Sequence, residues 1–157
     1  VCALSPGGMW TPNSEEQRQV RRDLRRMAAQ TEAARRILPS LAHSARFRRW
    51  ALRQTMLHGD RVSRAEFIEL ADDMLGCSVL RDLLDTEETC QGFDRLPCPI
   101  TIAWAAHDQI LPLRTHGALS QQRFPDAEFS VLADVGHVPM FDDPRSISDA
   151  ILARSRA

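Results

Sequence analysis

Two titratable residues near the end of the chain have the types and order of an acid–base pair. Asp108 lies in the stretch Trp-Ala-Ala-His-Asp-Gln-Ile-Leu-Pro at 104–112, and His137 lies in Val-Gly-His-Val-Pro at 135–139. A carboxylate that hydrogen-bonds one imidazole nitrogen fixes the tautomer, so the other nitrogen can accept a proton from a nucleophile. Asp108 and His137 are therefore the candidate catalytic residues.

Each candidate follows a predicted strand. Residues 100–104 are short, apolar and rich in β-branched side chains, which predicts a strand buried on both faces. Residues 127–132 predict a second strand, and residues 112–124 between them predict a crossover helix with a proline in its first turn. Because ligands bind at the carboxyl ends of the strands in α/β sheets, Asp108 and His137 are expected to share that edge.

The chain before residue 96 is predicted to be helical apart from its first residues. Four segments are expected: one of about 20 residues that begins at the capping box Ser14-Glu-Glu-Gln17 and ends near Pro39, one over residues 41–57, one capped by Ser63 and ending at Gly76, and one over residues 79–84. Phe47 and Trp50 are expected in the core of this helical part.

These features resemble the C-terminal end of the α/β-hydrolase superfamily. The resemblance depends on the order Asp108 before His137, the Gly-His-x-Pro turn and Pro144. It implies an α/β fold of about three parallel strands with flanking helices and an inserted all-helical cap. It also implies that Asp108 is the acid and His137 the general base of a nucleophile–Asp–His triad.

The resemblance also divides the chain into three parts. Residues 1–9 would be the end of an inner core strand and its exit loop. Residues 10–92 would be the helical cap, or lid, and residues 93–157 the C-terminal part of the hydrolase core. The lid of this family covers the active site and supplies much of the substrate pocket.

No residue of the chain suits the role of nucleophile. The family places it in a small-x-nucleophile-x-Gly turn between a strand and a helix, which Ser5 matches in order, but Pro6 has no N–H to offer an oxyanion hole. Cys77 and Ser78 follow a predicted helix instead of a strand. We therefore expect the chain to be a C-terminal piece, inactive alone, whose partner is the missing N-terminal half of the same fold.

Other polar residues near the candidate pair receive simpler interpretations. His107 and His116 are expected in loops or on the surface, and Asp134, Asp142 and Asp143 are expected to be turn residues around the histidine. A metal site built from His107, Asp108, His116 and His137 lacks the close ligand pairs typical of zinc, so no metal or cofactor is expected.

Composition excludes several functional classes. The net charge is −1, no stretch approaches the ~18 apolar residues of a membrane span, and the four cysteines have no ligand spacing. We expect no nucleic-acid or membrane partner and a cytoplasmic location.

Charge is unevenly distributed along the helical part: residues 18–53 hold 11 arginines and residues 60–95 hold 10 acids. A surface for anionic ligands is one interpretation, and charge pairing between cap helices is the favoured one.

Two functional hypotheses follow. In the first, the full-length protein is a hydrolase that acts on a small-molecule ester, amide, epoxide or activated C–C bond, and this chain supplies the lid, Asp108 and His137. In the second, the chain is a non-catalytic, truncated or degenerate relative that keeps the fold without the chemistry.

Overall fold

One parallel sheet holds the core together. A computed structural model describes residues 1–93 and 95–153. Its three strands are parallel and lie in the order β1-β2-β3, with β2 in the middle. Their bounds are Cys2–Leu4 for β1, Thr101–Ala105 for β2 and Glu128–Leu132 for β3. The α/β class with about three parallel strands is confirmed.

Strand β2 is buried along its whole length, as its apolar sequence predicts. Because side chains alternate across a strand, Ile102 and Trp104 face one side of the sheet and Ala103 and Ala105 the other. Each pair joins a separate hydrophobic cluster. The sheet is therefore covered on both faces, and the candidate catalytic residues lie beyond the ends of its strands.

The first long helix has the predicted start and length. Helix α1 spans Glu15–Ala34, and the Ser14 side chain accepts the N–H of Gln17 at 3.2 Å as its N-cap. Its end differs from the prediction, because Pro39 does not terminate this helix. Instead, Pro39 lies in the first turn of a separate short helix, α2, at Leu38–Leu41, where the missing N–H of proline costs nothing.

The second predicted helix is much shorter than residues 41–57. Helix α3 spans Ala45–Ala51, because the Ser44 side chain caps its start by accepting the N–H of Phe47 at 3.3 Å. Residues 52–58 form turns instead of continuing the helix. The expectation that Trp50 lies in the core is wrong: it is 60% exposed, with the Arg53 guanidinium over its ring.

The remaining helices complete both halves of the chain. Helix α4 has the predicted capping box, with Ser63 and Glu66 each accepting the other's backbone N–H. Between β2 and β3, a π-helical turn at Leu113–Gly117 leads into α6, so the crossover is helical as predicted. The bounds are Arg64–Gly76 for α4, Leu80–Asp85 for α5, Ala118–Arg123 for α6 and Pro144–Leu152 for α7.

The helical segment ahead of β2 has a hydrophobic cluster of its own. Its buried members are Leu38, Ala42, Met56, Val62 and Phe67. Val138 and Phe141, which follow β3, pack against the same cluster, so the helical segment contacts the loop that carries His137. The division at residues 9 and 92 stays a prediction. Among residues 1–93 and 95–153, no helix has the length and apolar character to cross a membrane.

Candidate active site

Asp108 is held rigidly just after the carboxyl end of β2. Its side chain is fully buried, and Oδ1 accepts the backbone N–H groups of Ile110 at 3.0 Å and Leu111 at 2.7 Å. Trp104 donates its indole N–H to the Leu111 carbonyl at 2.9 Å, which braces the same turn. These bonds use one carboxylate oxygen and leave the other, Oδ2, free to face the histidine.

His137 meets that second oxygen. Nδ1 of His137 lies 2.8 Å from Oδ2 of Asp108, across 29 positions of sequence. Because a carboxylate only accepts hydrogen bonds, Nδ1 carries the proton and donates it. The His137 side chain is 25% exposed, and Nε2 makes no hydrogen bond within the described part of the chain. Nε2 is therefore the nitrogen that can face a reacting group.

Backbone hydrogen bonds hold the two loops together beyond the sheet. Ala106 donates its N–H to the Leu132 carbonyl at 2.9 Å, which continues the β2–β3 pairing by one residue. His107 then donates to the Val135 carbonyl at 3.1 Å. The donors lie within two positions of Asp108, and Val135 lies two positions before His137, so the register of the sheet keeps the two loops close together.

Asp142 is a buried residue whose importance the sequence did not show. Asp142 lies in a turn, as expected, but it is also 1% exposed and accepts N–H groups from Leu57, His58 and Gly136. No local pattern signals this, because Leu57 and His58 precede it by more than 80 positions. Asp134, in contrast, is a turn residue as predicted, with a positive φ of 54°.

Asp143 also does more than fill a turn. Its Oδ1 accepts the N–H groups of Arg145 and Ser146, both at 3.1 Å, so it is the N-cap of α7. Hydrogen bonds from the Ser146 hydroxyl and N–H hold the pKa of the Asp143 carboxyl below its usual range. The helix that follows the histidine is thereby fixed at its first turn.

The three rejected nucleophile candidates remain unsuited to that role. Ser5 is 4% exposed and its Oγ accepts the N–H of Ala105 at 3.1 Å, so the hydroxyl is committed to the sheet. Cys77 and Ser78 are exposed and directly follow α4 in the helical segment. None of them is hydrogen-bonded to His137.

The other two histidines of this region lie in different environments. His107 is exposed, as expected, with Nε2 3.8 Å from Asp134. His116 contradicts the expectation of a surface position: it is 3% exposed, because the π-helical turn points it inward beside the edge of Trp10. Burial lowers the pKa of His116, and the Asp108 carboxylate partly opposes that shift.

Metal ligands do not cluster in the described residues. Within residues 1–93 and 95–153, no three or more His, Cys, Asp or Glu side chains are arranged to hold an ion. His107, Asp108, His116 and His137 therefore do not form such a group.

The basic and acidic parts of the helical segment are paired with each other. Three ion pairs join them: Arg25 with Asp85, Arg35 with Asp72 at 4.0 Å, and Arg49 with Asp60 at 3.8 Å. All six side chains are at least 39% exposed, so each pair adds little stability. The pairs support the interpretation that the charges serve the packing of the helices, and the absence of a nucleic-acid partner stays a prediction.

Comparison with known families identifies the fold. A sequence model described as the alpha/beta hydrolase fold matches residues 10–144. The chain therefore belongs to the α/β-hydrolase fold family, which confirms the resemblance drawn from the Asp-to-His order and the Gly-His-x-Pro turn.

A solved structure supports the same fold. The chain is similar to a thermophilic esterase from Thermogutta terrifontis, with a TM-score of 0.60 and 19% identity over 99% of this chain and 54% of that one. It is also similar to an alpha/beta hydrolase fold protein from Burkholderia ambifaria, with a TM-score of 0.47 and 15% identity over 98% and 56%. The chain thus spans about half the length of these structures. No curated protein matches it.

Proposed function

We propose that Asp108 and His137 are the acid and the general base of a nucleophile–Asp–His triad in a hydrolase. The single observation that carries this proposal is the 2.8 Å bond between Nδ1 of His137 and Oδ2 of Asp108. It fixes the tautomer in which Nε2 is unprotonated and able to accept a proton. The exposure of the imidazole agrees with access for a second group.

In this proposal, His137 moves one proton twice. Nε2 takes the proton of the nucleophile as the nucleophile attacks the substrate carbonyl, and it then gives that proton to the leaving group. Asp108 stays ionised and stabilises the imidazolium formed in between. The buried N–H bonds from Ile110 and Leu111 keep its carboxylate oriented throughout.

The nucleophile and oxyanion hole are proposed to come from a further segment of the same fold. Two observations support this: none of the three nucleophile candidates suits the role, and the chain spans about half the length of the structures that it resembles. The helical segment at residues 10–92 would serve as the lid over a small-molecule substrate. Because one similar structure is an esterase, esters are the first substrates to test.

The test compares the 157-residue chain with the product of the reading frame extended upstream. With p-nitrophenyl acetate, we expect no turnover by the chain alone, since its base has no group to activate. The longer product is expected to turn the ester over, and His137→Ala is expected to abolish that activity.

Two results would contradict the proposal. Turnover by the chain alone that is lost in His137→Ala would show that the nucleophile lies within these residues. A folded longer product that is inactive on ester, amide and epoxide probes would favour the second hypothesis, a relative that keeps the fold without the chemistry.

A further inference from the structure

A buried carboxylate that takes no part in the proton transfer lies behind the histidine. Asp142 is 1% exposed. Its Oδ2 accepts the N–H groups of Gly136 at 2.7 Å and Leu57 at 2.9 Å, and its Oδ1 accepts the N–H of His58 at 2.7 Å. One acceptor thus joins the residue before His137 to two residues of the helical segment.

A carboxylate suits this position better than an amide. Two oxygens with free lone pairs can accept all three N–H groups, whereas an amide would turn its NH₂ group towards at least one of these donors. A buried charge is tolerated when several donors surround it, and hydrogen bonds to a charged acceptor are the strong ones. The arrangement therefore depends on aspartate specifically.

The other side of His137 is tied to the same segment. Val138 donates its N–H to the Thr55 carbonyl at 2.8 Å, and the Arg61 side chain donates to the backbone carbonyl of Asp142. His137 is thus flanked on both sides by residues bonded to residues 55–58 or to Asp142. The backbone of His137 cannot shift relative to residues 55–58 without breaking one of these bonds.

The backbone at Gly136 also contacts the backbone of residues 55–57 directly, with no side chain between them. A Cβ added at Gly136 would lie 2.8 Å from the Thr55 carbonyl oxygen and 2.9 Å from the Met56 Cα, both of which are backbone atoms. Such close approach requires glycine. Gly136 is therefore needed for its contact with residues 55–57, and not for a positive φ, which it does not have.

We propose that Asp142 is a positioning residue for His137. By binding Gly136, Leu57 and His58 at once, it ties the histidine loop, residues 133–143, to the helical segment and sets the direction in which Nδ1 points. The inference rests on the proposed function, since it assigns a role at the same pair. It adds that the orientation of the base depends on residues 55–58.

The test follows the Nδ1 proton of His137 in the 157-residue chain by ¹H–¹⁵N NMR. In the unaltered chain, we expect a downfield proton on Nδ1 that disappears in Asp108→Ala. In Asp142→Asn, we expect that proton to be lost or broadened. At least one of the amides of Gly136, Leu57 and His58 should also exchange about tenfold faster or more, the fold-change of one lost charge-assisted hydrogen bond.

Two controls separate positioning from general loss of stability. Asp149→Asn changes an exposed acid of α7 and should leave the proton unchanged. Leu84→Ala removes a buried side chain of α5 and should lower the melting temperature while the proton persists. If Asp142→Asn does not fold, Arg61→Met weakens the same connection from the carbonyl side and should accelerate Gly136 exchange.

The outcomes keep the two proposals apart. A folded Asp142→Asn chain that retains the Nδ1 proton and the protection of all three amides overturns the positioning role and leaves the acid–base pair intact. Unchanged Gly136 exchange in Arg61→Met, where that variant is needed, also overturns it. Absence of the proton in the unaltered chain contradicts the pair itself.

Discussion

Asp108 binds His137 with one carboxylate oxygen and the start of its own loop with the other. Oδ2 lies 2.8 Å from Nδ1 of the imidazole, while Oδ1 accepts two backbone N–H groups. The carboxylate plane is therefore fixed before any substrate binds. A rigid acceptor of this kind orients the imidazole at no further entropic cost.

Asp108→Asn in the upstream-extended protein tests the role of this orientation. Asparagine can still accept the N–H groups of Ile110 and Leu111, so we expect the fold to persist. Its NH₂ group would face Nδ1 and favour the wrong tautomer, which is expected to lower kcat by up to about four decades. Steady-state hydrolysis of p-nitrophenyl acetate, with circular dichroism as a check on folding, measures this.

Asp126→Asn is the matched control, because Asp126 is an exposed acid just before β3. Its activity should equal that of the unaltered protein. Activity of Asp108→Asn within about threefold of that value would mean that the acid lies elsewhere, because loss of the tautomer costs far more.

The proximity of Asp108 and His137 could be predicted because the signals for the two strands are local. Burial of β2 follows from an unbroken apolar run, and parallel strands place their carboxyl ends at one edge, so Asp108 and His137 were expected to meet. The N-cap at Ser14 and the capping box at Ser63 indicated two helix starts in the same way, since each involves residues only three positions apart; at Ser14 the reciprocal bond is absent, because the Gln17 side chain accepts the N–H of Asn13 instead.

The features that could not be predicted from the sequence depend on contacts between residues that are far apart in it. Apolar spacing suggested a helix through residue 57, but the N–H groups of Leu57 and His58 bind Asp142, 85 and 84 positions away. Burial of Asp142 depends on the same contact. His116 is buried because the π-helical turn shifts its direction, and the sequence contains no signal for that turn.

Gly136→Ala is expected to destabilise the chain by about 1–3 kcal/mol, the usual cost of forcing a methyl group into a filled site. The added carbon would lie within 3.0 Å of three atoms of residues 55–57. Urea denaturation followed by tryptophan fluorescence gives the free energy of unfolding. Gly7→Ala is the control, because nothing lies within 4 Å of a Cβ there. Equal stability of the two variants would contradict the close approach.

His116 is expected to make stability depend on pH. Burial lowers its pKa in the folded chain, so below about pH 6.5 the unfolded chain takes up a proton that the folded chain refuses. The free energy of unfolding should therefore decrease as the pH is lowered, by at most about 1.4 kcal/mol per pH unit for one proton. Urea denaturation at pH 7.5, 6.5 and 5.5 measures this slope.

A non-titrating side chain at this position should reduce that slope. In His116→Gln, we expect the slope of the unfolding free energy against pH to decrease by the contribution of about one proton. His43→Gln, at an exposed histidine, should keep the full slope. Identical pH dependence in the unaltered chain and His116→Gln would show that His116 is protonated as easily in the folded state as in the unfolded one.

The open edge of β1 is a second feature with consequences for solution behaviour. Val1 accepts the N–H of Thr101, and Ser5 donates to the Ala103 carbonyl, so alternate residues of this stretch bond to β2. Cys2 therefore turns its backbone groups the other way. No strand among residues 1–93 and 95–153 pairs with that side.

Unpaired edge strands recruit other strands, so we expect the 157-residue chain to self-associate as its concentration rises. Cys2→Lys places a charge at this edge and should reduce the association, because a second strand would have to bury that charge. Cys77→Lys makes the same change at an exposed cysteine after α4 and should leave association unaltered. Sedimentation velocity under reducing conditions distinguishes these results. A single monomeric species at every concentration, with a cooperative melt, would show that the β1 edge is protected in solution.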